Sequence, residues 1–541
     1  MLSNRKLFKL VLILLLALSL RLFNFGKNPP SLSEDEASLG YNSYTILTAG
    51  KGEHGEVFPL DKFIAFGDYK PPGYIYAAVP SIAVFGLNEI GVRLPSLISG
   101  VLLSLVAYLL VIEMFGNPSI ALLSAFLIAV SPWSIQFSRA AFESNLAALL
   151  NATAVLFFIK SRKKGFFLPL SVILFILAFY TFNANRIISP ILLFTLELLF
   201  LKDFIKNIKW IIISVFIGII MLLPSYSFLS SRESKVRFQE VSIFSYDIDK
   251  LKLSNERIST DGNSIIGKIF HNRRLVFSLD FLKHYTDNFD PKFLFLRGDG
   301  NQRLSVPGIG EMFVWEIIFY TIGIFYLLRN PNRNNLLLLL WFLIVPLPAG
   351  TAKETPHALR IASILPVPQI FSALGIWQVS LFIRKYYPRI KIYFPLLLLS
   401  VFIFNFYYYL HNYFVHYPVE FSRAWQYGYK EMTQKIKERE NNYDHVLVSR
   451  SGGRSYIYFL FYNGYPVSDY LRNRIATRDW WGLWDVASFG KYYFDLKYRS
   501  ELKGKILVAE GADELVSGEK VLDTISYPKG DPAYKIVEIT R

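Results

Sequence analysis

The sequence predicts a polytopic α-helical membrane protein with a small α/β domain at its C-terminal end. Three observations predict it. The 541 residues are 52% hydrophobic and only 18% charged, where a soluble domain carries about 25% charged residues. Apolar runs of the length needed to cross a hydrocarbon core, about 20 residues, recur over most of the chain. The last part of the chain instead alternates short β-branched runs with a polar helical stretch.

The apolar runs fall at roughly 7–25, 92–113, 118–133, 141–160, 166–182, 187–202, 209–228, 312–329, 335–349, 361–383 and 391–410, about eleven spans. The first follows Arg5 and Lys6 and continues into Arg21-Leu22-Phe23 with no small-residue cleavage site, so it is expected to be a retained anchor. The net charge of +16 does not point to nucleic acid, because much of the excess lies in short loops between apolar runs. Those loops hold Lys160 with Arg162, Lys163 and Lys164, then Lys202 with Lys206 and Lys209, Arg329 with Arg333, and Arg384 with Lys385, Arg389 and Lys391. Alternating spans place them on one side, which positive charge marks as cytoplasmic, together with the N-terminus. The expected location is the plasma membrane. The first loop (26–91), a large loop (229–311) and the C-terminal domain (411–541) then lie outside, behind a membrane domain of 1–410. The chain contains no cysteine, so disulfides, thiolate nucleophiles and Cys-ligated metals are excluded.

The first loop is expected to be ordered. Asp35 to Leu47 reads as a helix, with Ala37, Tyr41, Tyr44 and Ile46 on one side. A second apolar helix starts after Pro71-Pro72 and runs from Tyr74 to Phe85. Both are expected along the membrane surface. In the tail, residues 445–449, 505–509 and 534–539 read as strands, and 429–439 as a helix.

The candidate chemistry sits at the outer face. Ser33-x-x-Glu36 forms a capping box, for which one acid is enough, so Asp35 is left over as a candidate general base. Glu36 divides between cap and catalysis, and since Gln can also serve the box, Glu36→Gln is expected to be mild. Lys70, between Tyr69 and Pro71-Pro72, reads either as a lysine reaching for headgroups or as a clamp for a phosphate leaving group. Tyr69 suits the same interface. Glu143 begins the fourth span, while Arg186 and Arg360 mark other outer span ends. His54, in Glu53-His54-Gly55-Glu56, is too loosely spaced from its acids to argue for a metal and is expected in a solvated loop. Arg297-Gly298-Asp299-Gly300-Asn301 reads as a structural turn. No Walker A lysine, dinucleotide glycine fingerprint or zinc signature is present.

These pieces together resemble a known family. An outer loop with Asp35-Glu36 at a helix start is followed by Tyr69-Lys70-Pro71-Pro72-Gly73-Tyr74. Gly86-Leu87-Asn88-Glu89 then leads to Val92-Arg93-Leu94-Pro95-Ser96. The pattern, over about 20–190, resembles the lipid-carrier-dependent glycosyltransferases of the GT-C superfamily, nearest to protein O-mannosyltransferases and aminoarabinose (lipid A) transferases. The resemblance implies a GT-C-like fold and an inverting transfer of a hexosyl or pentosyl group from a polyprenyl-phosphate donor. The acceptor would be a hydroxyl on a lipid, glycan or protein at the outer side of the bilayer. It implies Asp35 as catalytic acid, Lys70 on the donor phosphate, Glu143 where relatives carry a second acid, and Arg186 and Arg360 along the donor cavity. It does not extend to the tail. Neither sugar nor divalent-metal dependence is fixed, and no cofactor is certain. The alternative class is a polytopic transporter or a flippase of lipid-linked glycans, which predicts inverted repeats or midplane breaks. Neither is evident.

Overall fold

The computed structural model describes residues 4–66, 68–206, 208–231, 234, 242–245, 248–478, 484–516 and 518–541. The parts of the large loop at 232–233, 235–241 and 246–247 lie outside the described residues. Each expected span coincides with a helix, from Asn4–Leu22 to Tyr393–His411. Among the described residues six helical segments are long and apolar enough to cross a membrane, or seven if the bent pair Pro118–Val130 and Pro132–Arg139 counts as one span.

The chain clusters into two compact units that interleave in sequence. One takes residues 1–14, 102–133 and 147–402 and holds most of the apolar helices. The other takes 15–101, 134–146 and 403–541, so the first loop and the tail fall in one unit.

In that second unit a two-stranded hairpin, β1 (Phe63–Ala65) and β2 (Asp68–Lys70), pairs Phe63 with Lys70. The tail forms a seven-stranded sheet from β3 (His445–Val448), β4 (Arg474–Arg478), β5 (Trp484–Phe489), β6 (Tyr492–Phe494), β7 (Lys505–Gly511), β8 (Lys520–Ser526) and β9 (Pro532–Thr540). The order is β4-β5-β6-β3-β7-β9-β8, with β3 parallel to β6 and β7 and the other pairs antiparallel. The three strands legible in the sequence, β3, β7 and β9, are adjacent at the centre.

Alternation along β3 and β7 splits the sheet into two apolar faces. Leu447, Ile506 and Val508 pack with Leu502 and Val537 on one side. Val446, Val448, Leu507 and Ala509 pack on the other, in one core with Leu32, Leu39, Tyr41, Phe63 and Tyr74 of the first loop. The helix Glu34–Ala49 is buried at Glu36–Ser43, Thr45 and Ile46. That helix is packed inside a protein core. The reason is its sequence: Ala37, Ser38, Gly40 and Ser43 leave so little side chain that neighbours close on every face. A Cβ added at Gly40 would lie 2.5 Å from both Val92 Cγ2 and Phe461 Cε2.

Candidate functional site

The helix that carries Asp35 begins with a complete capping box. The Ser33 hydroxyl accepts from Glu36 N–H, and the Glu36 carboxylate accepts from Ser33 N–H. That cap contributes about 1 kcal/mol. Asp35 sits in the first helical turn with its side chain half exposed, and Lys70 Nζ donates to its Oδ1 at 2.8 Å. Lys70 ends β2 immediately before Pro71-Pro72, and its side chain is only 5% exposed. The hairpin, and not the proline turn alone, aims the lysine. Tyr69 is buried, with Lys62 Nζ 5.2 Å from its ring centre.

Glu36, the next residue, has a different environment. Its carboxylate and the Arg93 guanidinium are both fully buried and pair twice, Nε–Oε1 at 2.8 Å and Nη2–Oε2 at 3.1 Å. Ala141 N–H adds a third contact to Oε1 at 2.9 Å, and Arg93 also donates to the carbonyls of Pro29 and Ser31. This is an internal brace between the first loop, the following span and the segment before Glu143. Breaking such a pair on one side costs about 3–5 kcal/mol, so Glu36→Gln is not the mild change the capping box alone implies. Arg93 stands in the quoted loop motif without an assigned role. Its signal was an arginine inside an apolar run.

Glu143 opens the helix Glu143–Ser161 and is partly buried. It and Glu36 both act electrostatically on the buried Tyr74 hydroxyl, which donates to Val92 O at 2.9 Å. Asp35, Glu36, Tyr69, Lys70 and Glu143 thus all belong to one unit. Arg186 and Arg360 belong to the other. Arg186 lies with its guanidinium 4.8 Å from the Phe228 ring centre and 6.0 Å from that of Phe179. Arg360 Nη1 donates to Glu354 O. The two arginine segments meet through Ser363 Oγ, which donates to Asn185 Oδ1 at 3.0 Å. The turn at Asp299 is structural, as expected: its carboxylate accepts from Ala358 N–H at 2.6 Å and Asn301 N–H at 2.7 Å, which holds the strand of chain before Arg360. Burial pushes the Asp299 carboxyl above its ordinary range.

His54 is not in a solvated loop. Its side chain is 1% exposed, stacks on Trp484 at 5.1 Å, and meets Arg474 Nη1 through Nδ1 at 2.6 Å. Burial and the cations Arg474 and Arg478 hold it well below the ordinary histidine range, so it stays neutral. Glu53 beside it is fully buried, accepts from Tyr456 OH at 2.5 Å, and is pushed by burial up to about 7. The tail sheet covers this loop, which local sequence could not reveal. Among the described residues no group of three or more His, Asp or Glu side chains is arranged to hold a metal ion.

A model of the dolichyl-phosphate-mannose-protein mannosyltransferase family matches residues 69–228. That segment includes Lys70, Arg93, Glu143 and Arg186. Among solved structures, apo ArnT from Cupriavidus metallidurans superposes with a TM-score of 0.58 at 13% identity, covering 98% of this chain and 97% of that one. The same protein bound to undecaprenyl phosphate gives 0.57 at 12% identity over the same shares. The apo oligosaccharyltransferase of Archaeoglobus fulgidus gives 0.53 at 16% identity, covering 84% of this chain but 63% of its own, so this chain spans under two thirds of that protein. No curated protein sequence shows significant similarity. The chain shares the fold of these structures, over nearly all of ArnT, and over residues 69–228 its sequence is similar to the dolichyl-phosphate-mannose-protein mannosyltransferases.

Proposed function

We propose that this protein transfers a sugar from a polyprenyl-phosphate donor to an acceptor hydroxyl on the outer side of the membrane, with inversion at the anomeric carbon. The observation that carries the reading is the Asp35–Lys70 pair: a half-exposed carboxylate bonded at 2.8 Å to a buried ammonium. Sugar transfer with a phosphate leaving group needs both groups, one to take the hydroxyl proton and one where phosphate charge develops.

The step balances within those groups. The acceptor oxygen attacks the anomeric carbon from the face opposite the phosphate, and its proton passes to Asp35. The bond from that carbon to the phosphate oxygen breaks, and the electron pair leaves with the polyprenyl phosphate. Lys70 moves its hydrogen bond from Asp35 to the departing oxygen, which frees the carboxylate to receive the hydroxyl. Glu143, in the same unit as the pair, is the second acid of this reading.

The test is transfer by purified, reconstituted protein offered radiolabelled polyprenyl-phosphate sugars. Wild type is expected to release polyprenyl phosphate and Asp35→Asn to release none. An Asp35→Asn protein turning over near the wild-type rate sinks the reading. The side of the membrane is tested separately. Single cysteines at the exposed positions Lys51, Glu256 and Lys520 are expected to react with an impermeant thiol reagent in intact cells. Labelling of all three only after lysis overturns the topology, including the cytoplasmic N-terminus.

A further inference from the structure

The tail sheet has no counterpart in the loop motifs, yet its first turn reaches the residue next to Asp35. β3 is followed by Ser449-Arg450-Ser451-Gly452-Gly453-Arg454-Ser455 and then the helix Tyr456–Tyr462. Arg454 N–H donates to Glu34 Oε2 at 2.8 Å, and its Nη1 lies 3.4 Å from Glu34 Oε1. Its guanidinium also lies 5.0 Å from the ring centre of Phe66, in the hairpin that ends at Lys70. One side chain therefore touches the segment carrying each half of the pair.

Gln426 completes the contact. Its Oε1 accepts from Glu34 N–H at 2.8 Å and from Tyr458 OH at 3.0 Å, while its Nε2 donates to Gly452 O at 2.8 Å. Tyr458 OH lies equally close to Leu32 O, at 3.1 Å. Gln426 adopts φ +53°, a conformation a non-glycine side chain rarely takes. Gly453 has φ +115°, and a Cβ there would stand 2.5 Å from Gln426 Nε2 and 2.8 Å from Glu34 Oε2. The non-glycine Gln426 is thus held in the left-handed region at the Glu34 N–H, while the missing side chain of Gly453 lets the turn close on the Glu34 carboxylate.

We propose that Gln426 and Arg454 form a clamp by which the C-terminal domain positions Asp35 against Lys70, so that the domain is a working part of the active site. This rests on the sugar-transfer reading for its catalytic consequence, and on geometry alone for the clamp itself. Neither residue touches the reacting atoms. Both are positioning residues, acting through Glu34 and Phe66.

Two readouts separate the claims. The first is kinetic. Gln426→Ala is expected to lower kcat about tenfold or more, as small misplacements do, with the donor KM little changed. Arg454→Ala is expected to be milder, and Arg454→Lys to recover part of the loss by keeping charge beside Glu34. The second needs no activity: acetylation of the Lys70 amine by a water-soluble reagent, read by mass spectrometry. The double variant Gln426→Ala/Arg454→Ala is expected to expose Lys70 several-fold more than wild type, with the exposed Lys520 unchanged. Lys70 as protected in the variant as in wild type overturns the clamp. Increased labelling in a protein that transfers no sugar keeps the clamp and removes the reaction. If the double variant fails to fold, Arg454→Ala, at a half-exposed side chain, carries the labelling test alone, with the same two outcomes.

Discussion

Asp35 and Glu36 are adjacent acids on one helical turn, and the fold treats them oppositely. Asp35 is half exposed and pairs with Lys70. Glu36 faces inward, fully buried, with its two oxygens shared among Arg93, Ala141 N–H and Ser33 N–H. The difference teaches where each acid can act. A saturated buried carboxylate has no lone pair to offer a substrate and every reason to fix the loop. A half-exposed carboxylate can exchange a partner for one that arrives from solvent. Proton transfer needs the second arrangement, and its precision needs the first.

The largest expected effect tests the open acid. Asp35→Asn is nearly isosteric and is expected to lower transfer about 100- to 10,000-fold, the range of general base contributions, with thermal unfolding close to wild type. Loss of stability in place of loss of turnover would make the two acids alike.

Next is the closed acid. Glu36→Gln leaves Arg93 buried without its counter-charge and is expected to cost about 3–5 kcal/mol of stability, read as a lowered unfolding temperature in detergent. Its activity is expected to track the folded fraction. A Glu36→Gln protein as stable as wild type would reduce the buried pair to its capping role.

Lys70→Met keeps the apolar stem and removes the charge. A charge-assisted contact is worth about 1.5–3 kcal/mol, so polyprenyl-phosphate binding is expected to weaken at least about tenfold. Because phosphate charge grows in the transition state, turnover is expected to fall as well. Wild-type behaviour in both measurements would leave Lys70 serving Asp35 alone.

The smallest effect concerns the loop beyond this turn. Burial raises the Glu53 carboxyl from its ordinary 4.5 to about 7. The folded state therefore holds a proton between those values that the unfolded chain has released. By linkage, stability contributed by Glu53 is present below pH 4.5 and declines as pH rises through about 7. Glu53→Gln is expected to flatten that decline in unfolding temperatures measured from pH 5 to 8. An unchanged slope would assign the pH dependence to other groups.

Local pattern made a good part of this legible. The capping box marked the start of the helix at Ser33, and the structure forms both of its hydrogen bonds. Strands β3, β7 and β9 showed in the sequence because central strands, covered on both faces, are written in valine, isoleucine and leucine. β4, with Arg474, Thr477 and Arg478, lies at a sheet edge, where solvent erases that signal. His54 read as solvated because glycines and acids surround it in sequence, while the tryptophan that covers it is 430 positions away by subtraction (484 − 54).

The sequence by itself determined the apolar helices, the capped turn at Ser33 and the residue types of the first loop. Each depends on neighbours a few positions apart, through hydropathy, dihedral preference and short-range hydrogen bonds. Only the tertiary structure decided which acid is open and which is closed, and that the tail shares a core with the first loop. Those outcomes depend on Arg93, Gln426 and Arg454, 57, 392 and 420 positions from their partners. Contacts at that separation arise from burial and chain topology, which leave no periodicity in one strand of sequence.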